Sequence, residues 1–264
     1  MTMKPLELLF ERPGLPRFNL SPLLSSLYGG ELGIGASTTY ANLVSSLDGV
    51  VTLPAGGESG RIVSGDSEAD RFVMALLRAC ADAVLIGAGT FRQAPGAFWH
   101  AADAFPALAE AFADLRTQLG LRPHPLLVLV TASGQLDTSQ PAAGDALIAT
   151  TQAGEAKLRD TLPGGARLVV LDPHEVPLSS LIGLLRSEGL GRVLTEGGPT
   201  LLGELMKAGL VDELFLTAAP RLFGRSPGDG KKSLIHGVEL DGRPLELSSV
   251  RREGSHLFLR YATR

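Results

Sequence analysis

The residues best suited to chemistry lie together in Val193-Leu194-Thr195-Glu196-Gly197-Gly198-Pro199-Thr200-Leu201-Leu202. An apolar run delivers a carboxylate, then two glycines, then a proline preset for a first helical turn. The unpaired N–H groups of such a helix start, with the Thr200 hydroxyl, would take an anion such as a pyrophosphate. The same glycines would serve equally in a bare strand–helix turn. Ile86-Gly87-Ala88-Gly89-Thr90 is a second glycine turn after an apolar run. Two such turns in one sheet favour a phosphate-rich ligand across the strand ends. Neither fits G-x-G-x-x-G, which disfavours a standard dinucleotide fold. Glu196 follows its apolar run directly, so its carboxylate is expected in the cleft, accepting hydrogen bonds from a substrate. Acceptance from the turn's own N–H groups is the alternative.

Other segments carry weaker signals. Ser46-Leu47-Asp48-Gly49 reads as a hairpin turn with Val50-Val51-Thr52 returning. Glu58-Ser59-Gly60-Arg61 and Ser64-Gly65-Asp66 form a polar glycine stretch before a helix, with Ser64 or Asp66 as its cap. The five histidines share no metal spacing, and no G-x-S-x-G elbow is present. The single cysteine, Cys80, excludes an internal disulfide, a Cys-clustered zinc site and a zinc deaminase half in this chain. A net charge of −4 without a Lys/Arg run argues against nucleic acid and anionic membrane surfaces. No segment reaches the roughly 18 unbroken apolar residues of a membrane span. The start lacks a signal-peptide cleavage pattern, so the cytoplasm is the expected compartment.

These residues need elements to position them, and the 264-residue chain suits a globular α/β protein. Residues 1–35, rich in proline, read as an N-terminal extension with one short helix at Ser21 to Tyr28 closed by glycine. Residues 36–264 read as a single domain. Strands are expected at Ser37 to Ser45, Ala83 to Ile86, Leu126 to Val130, Ala146 to Ala149, Leu168 to Leu171 and Arg192 to Thr195. Helices are expected at Arg71 to Ala81, Phe105 to Leu119, Ala153 to Thr161, Leu178 to Glu188 and Thr200 to Ala208. The tail changes to strands at Asp212 to Ala218, Leu245 to Arg252 and His256 to Tyr261, the last two joined at Glu253-Gly254. The pattern is a mostly parallel central sheet with helices on both faces and antiparallel C-terminal strands. Arg225 to Lys232 is the candidate mobile loop.

Five collinear blocks, from about Ala41 to Tyr261, resemble the reductase domain of riboflavin biosynthesis, a pyrimidine reductase of three-layer dihydrofolate-reductase-like fold. They are Ser46-Leu47-Asp48-Gly49, Leu76-Leu77-Arg78-Ala79, Val84-Leu85-Ile86-Gly87-Ala88-Gly89-Thr90, Leu194-Thr195-Glu196-Gly197-Gly198-Pro199-Thr200 and Gly209-Leu210-Val211-Asp212-Glu213-Leu214. The resemblance implies an NADPH-dependent 5-amino-6-(5-phosphoribosylamino)uracil reductase that delivers hydride to C1′ of an opened, imine-like sugar, and a homodimer. Carried over residue by residue, it makes Glu196 and Asp48 the catalytic candidates and Ser59, Arg78 and Asn42 the substrate-binding ones. It assigns cofactor binding to Val44, Thr90, Ser133, Gly197, Gly198, Pro199, Thr200, Leu201, Leu202, Gly203 and Glu204. Arg61, Arg92 or Arg159 would meet the NADPH 2′-phosphate.

The substrate side departs from the family pattern. Asn42 stands where members usually have lysine, Ala94-Pro95 where they have Asp-Asp-Pro, and Arg61 where they have tryptophan. A dihydrofolate-type or other small-molecule reductase, and a non-catalytic NADP(H)-binding protein, therefore remain as alternatives on the same scaffold.

Overall fold

A computed structural model describes residues 3–54 and 59–263. The strands are β1 (Glu7–Glu11), β2 (Thr39–Ser46), β3 (Val50–Thr52), β4 (Ala83–Gly87), β5 (Leu126–Thr131), β6 (Leu147–Thr150), β7 (Arg167–Val170), β8 (Val193–Thr195), β9 (Glu213–Ala219), β10 (Lys232–Ser233), β11 (Glu246–Glu253) and β12 (His256–Ala262). The α-helices are α1 (Pro22–Tyr28), α2 (Ser59–Ser64), α3 (Glu68–Ala79), α4 (Ala88–Gln93), α5 (Ala101–Ala104), α6 (Ala109–Gln118), α7 (Gln152–Leu158), α8 (Leu178–Ser187) and α9 (Pro199–Lys207).

Among the described residues, one ten-stranded sheet runs β1-β11-β12-β9-β2-β8-β4-β5-β6-β7. Every pair from β9 to β7 is parallel; β12, β11 and β1 extend it antiparallel. This is the expected α/β class, a mostly parallel sheet with antiparallel C-terminal strands. Strand alternation divides the core in two. Val84 and Ile86 of β4 join Phe72 and Leu76 of α3 and Phe112 of α6, while Ala83 and Leu85 join Leu181, Leu185, Leu202 and Leu205 of α8 and α9. Phe72 and Leu76 are fully buried, each contributing about 1.5–3 kcal/mol of hydrophobic free energy.

Several expectations are corrected by tertiary pairing. The first 35 residues hold strand β1, which adds to β11, as well as the expected helix, capped by Ser21 and closed by left-handed Gly29. Val50 to Thr52 turns back after Gly49 (φ +81°) but pairs with β10 rather than with β2. The glycine turn after β4 is itself the start of helix α4, too short to show a period. Ser67, not Ser64 or Asp66, caps α3 by accepting from Asp70 N at 3.2 Å. The expected helix over Phe105 to Leu119 begins as a 3₁₀ turn at Pro106–Leu108 and becomes helical only from Ala109.

Candidate active site

The C-terminal ends of β2, β8 and β4 lie on one edge of the sheet, because parallel neighbours finish on the same side. Glu196 leaves β8 there and meets Arg78 of α3. Arg78 Nε donates to Glu196 Oε1 at 2.8 Å and Nη2 to Oε2 at 2.6 Å, with both side chains 8% exposed. Arg78 also donates to the carbonyl of His100 at 3.3 Å. The Glu196 carboxylate, expected to accept from a substrate or from the turn's own N–H groups, takes as its partner a guanidinium 118 residues away. The bidentate contact uses one lone pair on each oxygen and leaves others to accept from a ligand.

Two residues absent from the sequence reading hold this pair in place. Tyr40 of β2 donates its hydroxyl to Leu77 O at 2.8 Å. The buried Arg116 Nη1 of α6 donates to the carbonyls of Arg78, Ala79 and Ala81 at 3.1, 3.2 and 2.8 Å. Together they satisfy the C-terminal carbonyls of α3 and fix the turn that carries Arg78. A buried arginine in an amphipathic helix gives no sequence signal beyond its charge.

The two glycine segments come side by side. A Cβ on Gly197 would lie 2.6 Å from Leu201 Cδ2 and 3.3 Å from Gly87 N, and one on Gly198 would lie 3.2 Å from Thr90 Oγ1. Helices α4 and α9 begin at Gly87 and Gly198, and neither has a side-chain cap. Adjacent parallel strands thus present two uncapped helix starts, with Thr90 and exposed Thr200 beside them, a cradle that suits the phosphates of a nucleotide cofactor. Pro199 is buried at the first helical position and Leu201 is partly exposed. The last three positions assigned to the cofactor lie further along α9. Leu202 donates its N–H to Gly198 O and buries its side chain in the α8–α9 core. Gly203 packs against Val238, and Glu204 stands exposed a turn further on.

Ser133 follows β5 on the same edge. Its carbonyl accepts from Lys157 Nζ at 3.0 Å, and Gln135 O accepts from Arg92 Nη1 at 2.8 Å, so Arg92 and Lys157 flank this loop. Arg61 pairs instead with Asp66 at 2.8 Å and Arg159 with Glu155 at 3.1 Å. Asn42 and Val44 sit on the α3 side of β2, opposite Phe215 and Thr217 of β9. The Asn42 amide makes no hydrogen bond among the described residues, and Val44 packs with Val63 of α2 and Ala219. Ser59 Oγ accepts from Leu53 N at 3.1 Å, holding the start of α2; its neighbour Glu58 lies outside the described residues.

Asp48, the second catalytic candidate, is held by partners of its own. Its carboxylate accepts from the Ser46 hydroxyl at 2.6 Å, from Gly224 N at 2.7 Å and from Phe223 N at 3.2 Å. The Ser46 hydroxyl and then these N–H groups hold the carboxyl below its usual range. Asp48 therefore ties the loop after β9 to the end of β2. Asp70 lies in the first turn of α3, one residue before the helix expected from Arg71. Burial pushes its carboxyl up to about 6, against the opposing effect of the Thr217 hydroxyl.

Two open helix starts beside a buried Arg–Glu pair at the ends of parallel strands suit a nucleotide cofactor and a polar substrate, and relatives of this chain are named as reductases. The chain belongs to the RibD C-terminal domain family, which matches residues 38–259. It is 30% identical over 192 residues to the 2,5-diamino-6-ribosylamino-4(3H)-pyrimidinone 5′-phosphate reductase of Archaeoglobus fulgidus, covering 70% of this chain and 81% of that one. The protein of the same name from Methanothermobacter thermautotrophicus is 27% identical, with 84% and 96% covered. The riboflavin biosynthesis protein RibD of Escherichia coli is 29% identical over 69% of this chain, which spans 48% of that longer protein. In fold, a pyrimidine reductase-like protein from Corynebacterium diphtheriae superposes with a TM-score of 0.73 at 22% identity, covering 91% and 98% of the two chains. No helix of the described residues is long and apolar enough to cross a membrane.

Proposed function

We propose that the chain reduces a ribosylaminopyrimidine 5′-phosphate with NADPH, as the names of its archaeal relatives suggest for them. The carrying observation is the pair of uncapped helix starts at Gly87 and Gly198 lying beside the Arg78–Glu196 pair. Gly197, Gly198, Thr200 and Thr90 would hold the pyrophosphate, and the Ser133 loop with Arg92 and Lys157 would receive the 2′-phosphate. When bound, the cofactor supplies hydride. Asn42 and the free lone pairs of Glu196 would hold the polar edge of the pyrimidine, so that binding energy orients the reacting carbon.

The chain acts as a homodimer in this reading. Strand register lines up Phe10, Val250, Leu259, Leu216 and Leu43 across β1, β11, β12, β9 and β2, all at least partly exposed and all uncharged. An apolar row five strands wide, continuing the sheet face that α8 and α9 cover at Leu43 and Leu216, suits packing against its own copy. The test of the activity is NADPH consumption with the diaminopyrimidinone and the aminouracil forms of the substrate and with dihydrofolate. Turnover of either pyrimidine supports the proposal; turnover of dihydrofolate alone replaces it.

A further inference from the structure

Trp99, the only tryptophan of the chain, is buried and has φ +59°, in the left-handed region that a bulky residue rarely enters. The other two such non-glycine residues among those described are Asp66 and Asp241, and aspartate adopts this conformation far more readily. Burial of the indole does not by itself ask for this dihedral. A strained backbone persists where its surroundings over-determine it, and Trp99 is held from both sides. The indole stacks on Phe91 of α4, with ring centroids 5.7 Å apart and 22° between the planes. Phe91 directly follows Thr90 of the glycine cradle. The next residue, His100, starts α5 through a reciprocal cap with Asp103, and its ring stacks on His124 with centroids 3.9 Å apart. The His100 carbonyl is the one that accepts from Arg78 Nη1 at 3.3 Å.

We propose that Trp99 is a positioning residue: anchored on α4, it turns the chain so that the His100 carbonyl fixes the plane in which Arg78 presents Glu196 to the substrate. The assignment rests on the reductase reading above. Arg78 spends Nε and Nη2 on the two carboxylate oxygens, and two parallel bonds along one edge still let the pair hinge. The bond from Nη1 to His100 is a third point off that edge, which fixes the planar guanidinium. Once it is lost, the free lone pairs of Glu196 lose their aim and the substrate its orientation. The strained corner thus joins the helix that opens the cradle to the guanidinium that holds the carboxylate.

The test is a double-mutant cycle between Trp99 and Arg78, read in the KM for the pyrimidine with NADPH affinity measured alongside. Trp99→Gly leaves the left-handed dihedral open but removes the stack, and Trp99→Leu keeps an apolar side chain but penalises the dihedral. Each should raise KM about 10-fold, the worth of one charge-assisted bond, with NADPH affinity within about 2-fold of wild type. Trp99→Phe, which keeps a ring against Phe91, should restore KM to within about 2-fold. In an Arg78→Lys background, where the guanidinium fork is already lost, the Gly and Leu changes should add nothing further, whereas a merely structural role would act equally in both backgrounds. As the only tryptophan, Trp99 also reports on its own corner, and Arg78→Lys should shift its fluorescence emission. Unchanged KM in folded Gly and Leu variants, or an equal rise in both backgrounds, overturns the proposal and leaves the reductase reading standing. So does an emission spectrum of Arg78→Lys identical to wild type, even if no Trp99 variant folds. A wild type inactive on both pyrimidines overturns both.

Discussion

Replacing Glu196 by glutamine separates the two tasks of this side chain, anchoring α3 and holding substrate. The carboxylate forms two charge-assisted bonds to Arg78 at 2.6 and 2.8 Å, both side chains being 8% exposed. Breaking a buried pair by removing one partner costs about 3–5 kcal/mol, and the amide oxygen retains one bond, so about 2–4 kcal/mol is expected. For a chain of this size that lowers Tm by about 5–15 °C. The glycine cradle is formed by backbone groups that do not touch the Glu196 side chain, so NADPH affinity should stay near normal. A misplaced substrate should slow hydride transfer on the order of 100-fold. Thermal melting, cofactor titration and single-turnover reduction on the same preparation read all three effects. Adding Arg78→Met should return part of the lost stability, because no unpaired charge then remains buried. Full turnover in the variant would refute the substrate role, and an unchanged Tm would refute the energetic one. Loss of NADPH affinity in a folded variant would mean that the cofactor lies against α3 instead.

Gly198→Val should weaken NADPH binding with the fold intact, since its Cβ would stand 3.2 Å from Thr90 Oγ1 at the mouth of the cradle; calorimetric titration reads it. Arg92→Ala combined with Lys157→Ala should lower affinity for NADPH but not for NADH, measured by parallel titrations, and an equal loss for both cofactors would move the 2′-phosphate elsewhere. An acid raised in the folded state favours folding while protonated, so Asp70 costs stability increasingly as pH rises from about 4 to about 6. Asp70→Asn should therefore raise stability at about pH 8 by on the order of 1–3 kcal/mol and change little at about pH 4, as denaturation at the two pH values would show. Leu259→Glu should shift the chain from dimer to monomer in sedimentation, and an unaltered dimer would place the contact on another face.

Much of the frame is legible without coordinates. Continuous apolar runs such as Ala83 to Ile86 announce strands buried on both faces, and the Pro22 helix closed by Gly29 is written in its own caps. Gly197 and Gly198 mark a backbone approach that any side chain would block. These are local effects, set by each residue's own dihedral and solvation preferences. The partners were decided in three dimensions. Apolar periodicity says that β1 or Val50 to Thr52 must pair, but not that the partners are β11 and β10, which follow from the order of the whole sheet. Glu196 is a chemical candidate by its position, while its bond to Arg78 exists only because α3 packs on the sheet face with its last turn fixed by Tyr40 and Arg116. Asp70 carries the same lesson. The helix expected from Arg71 leaves it outside, and only the packing of α3 desolvates its carboxyl, because burial and long-range charge belong to the assembled interior rather than to any stretch of chain.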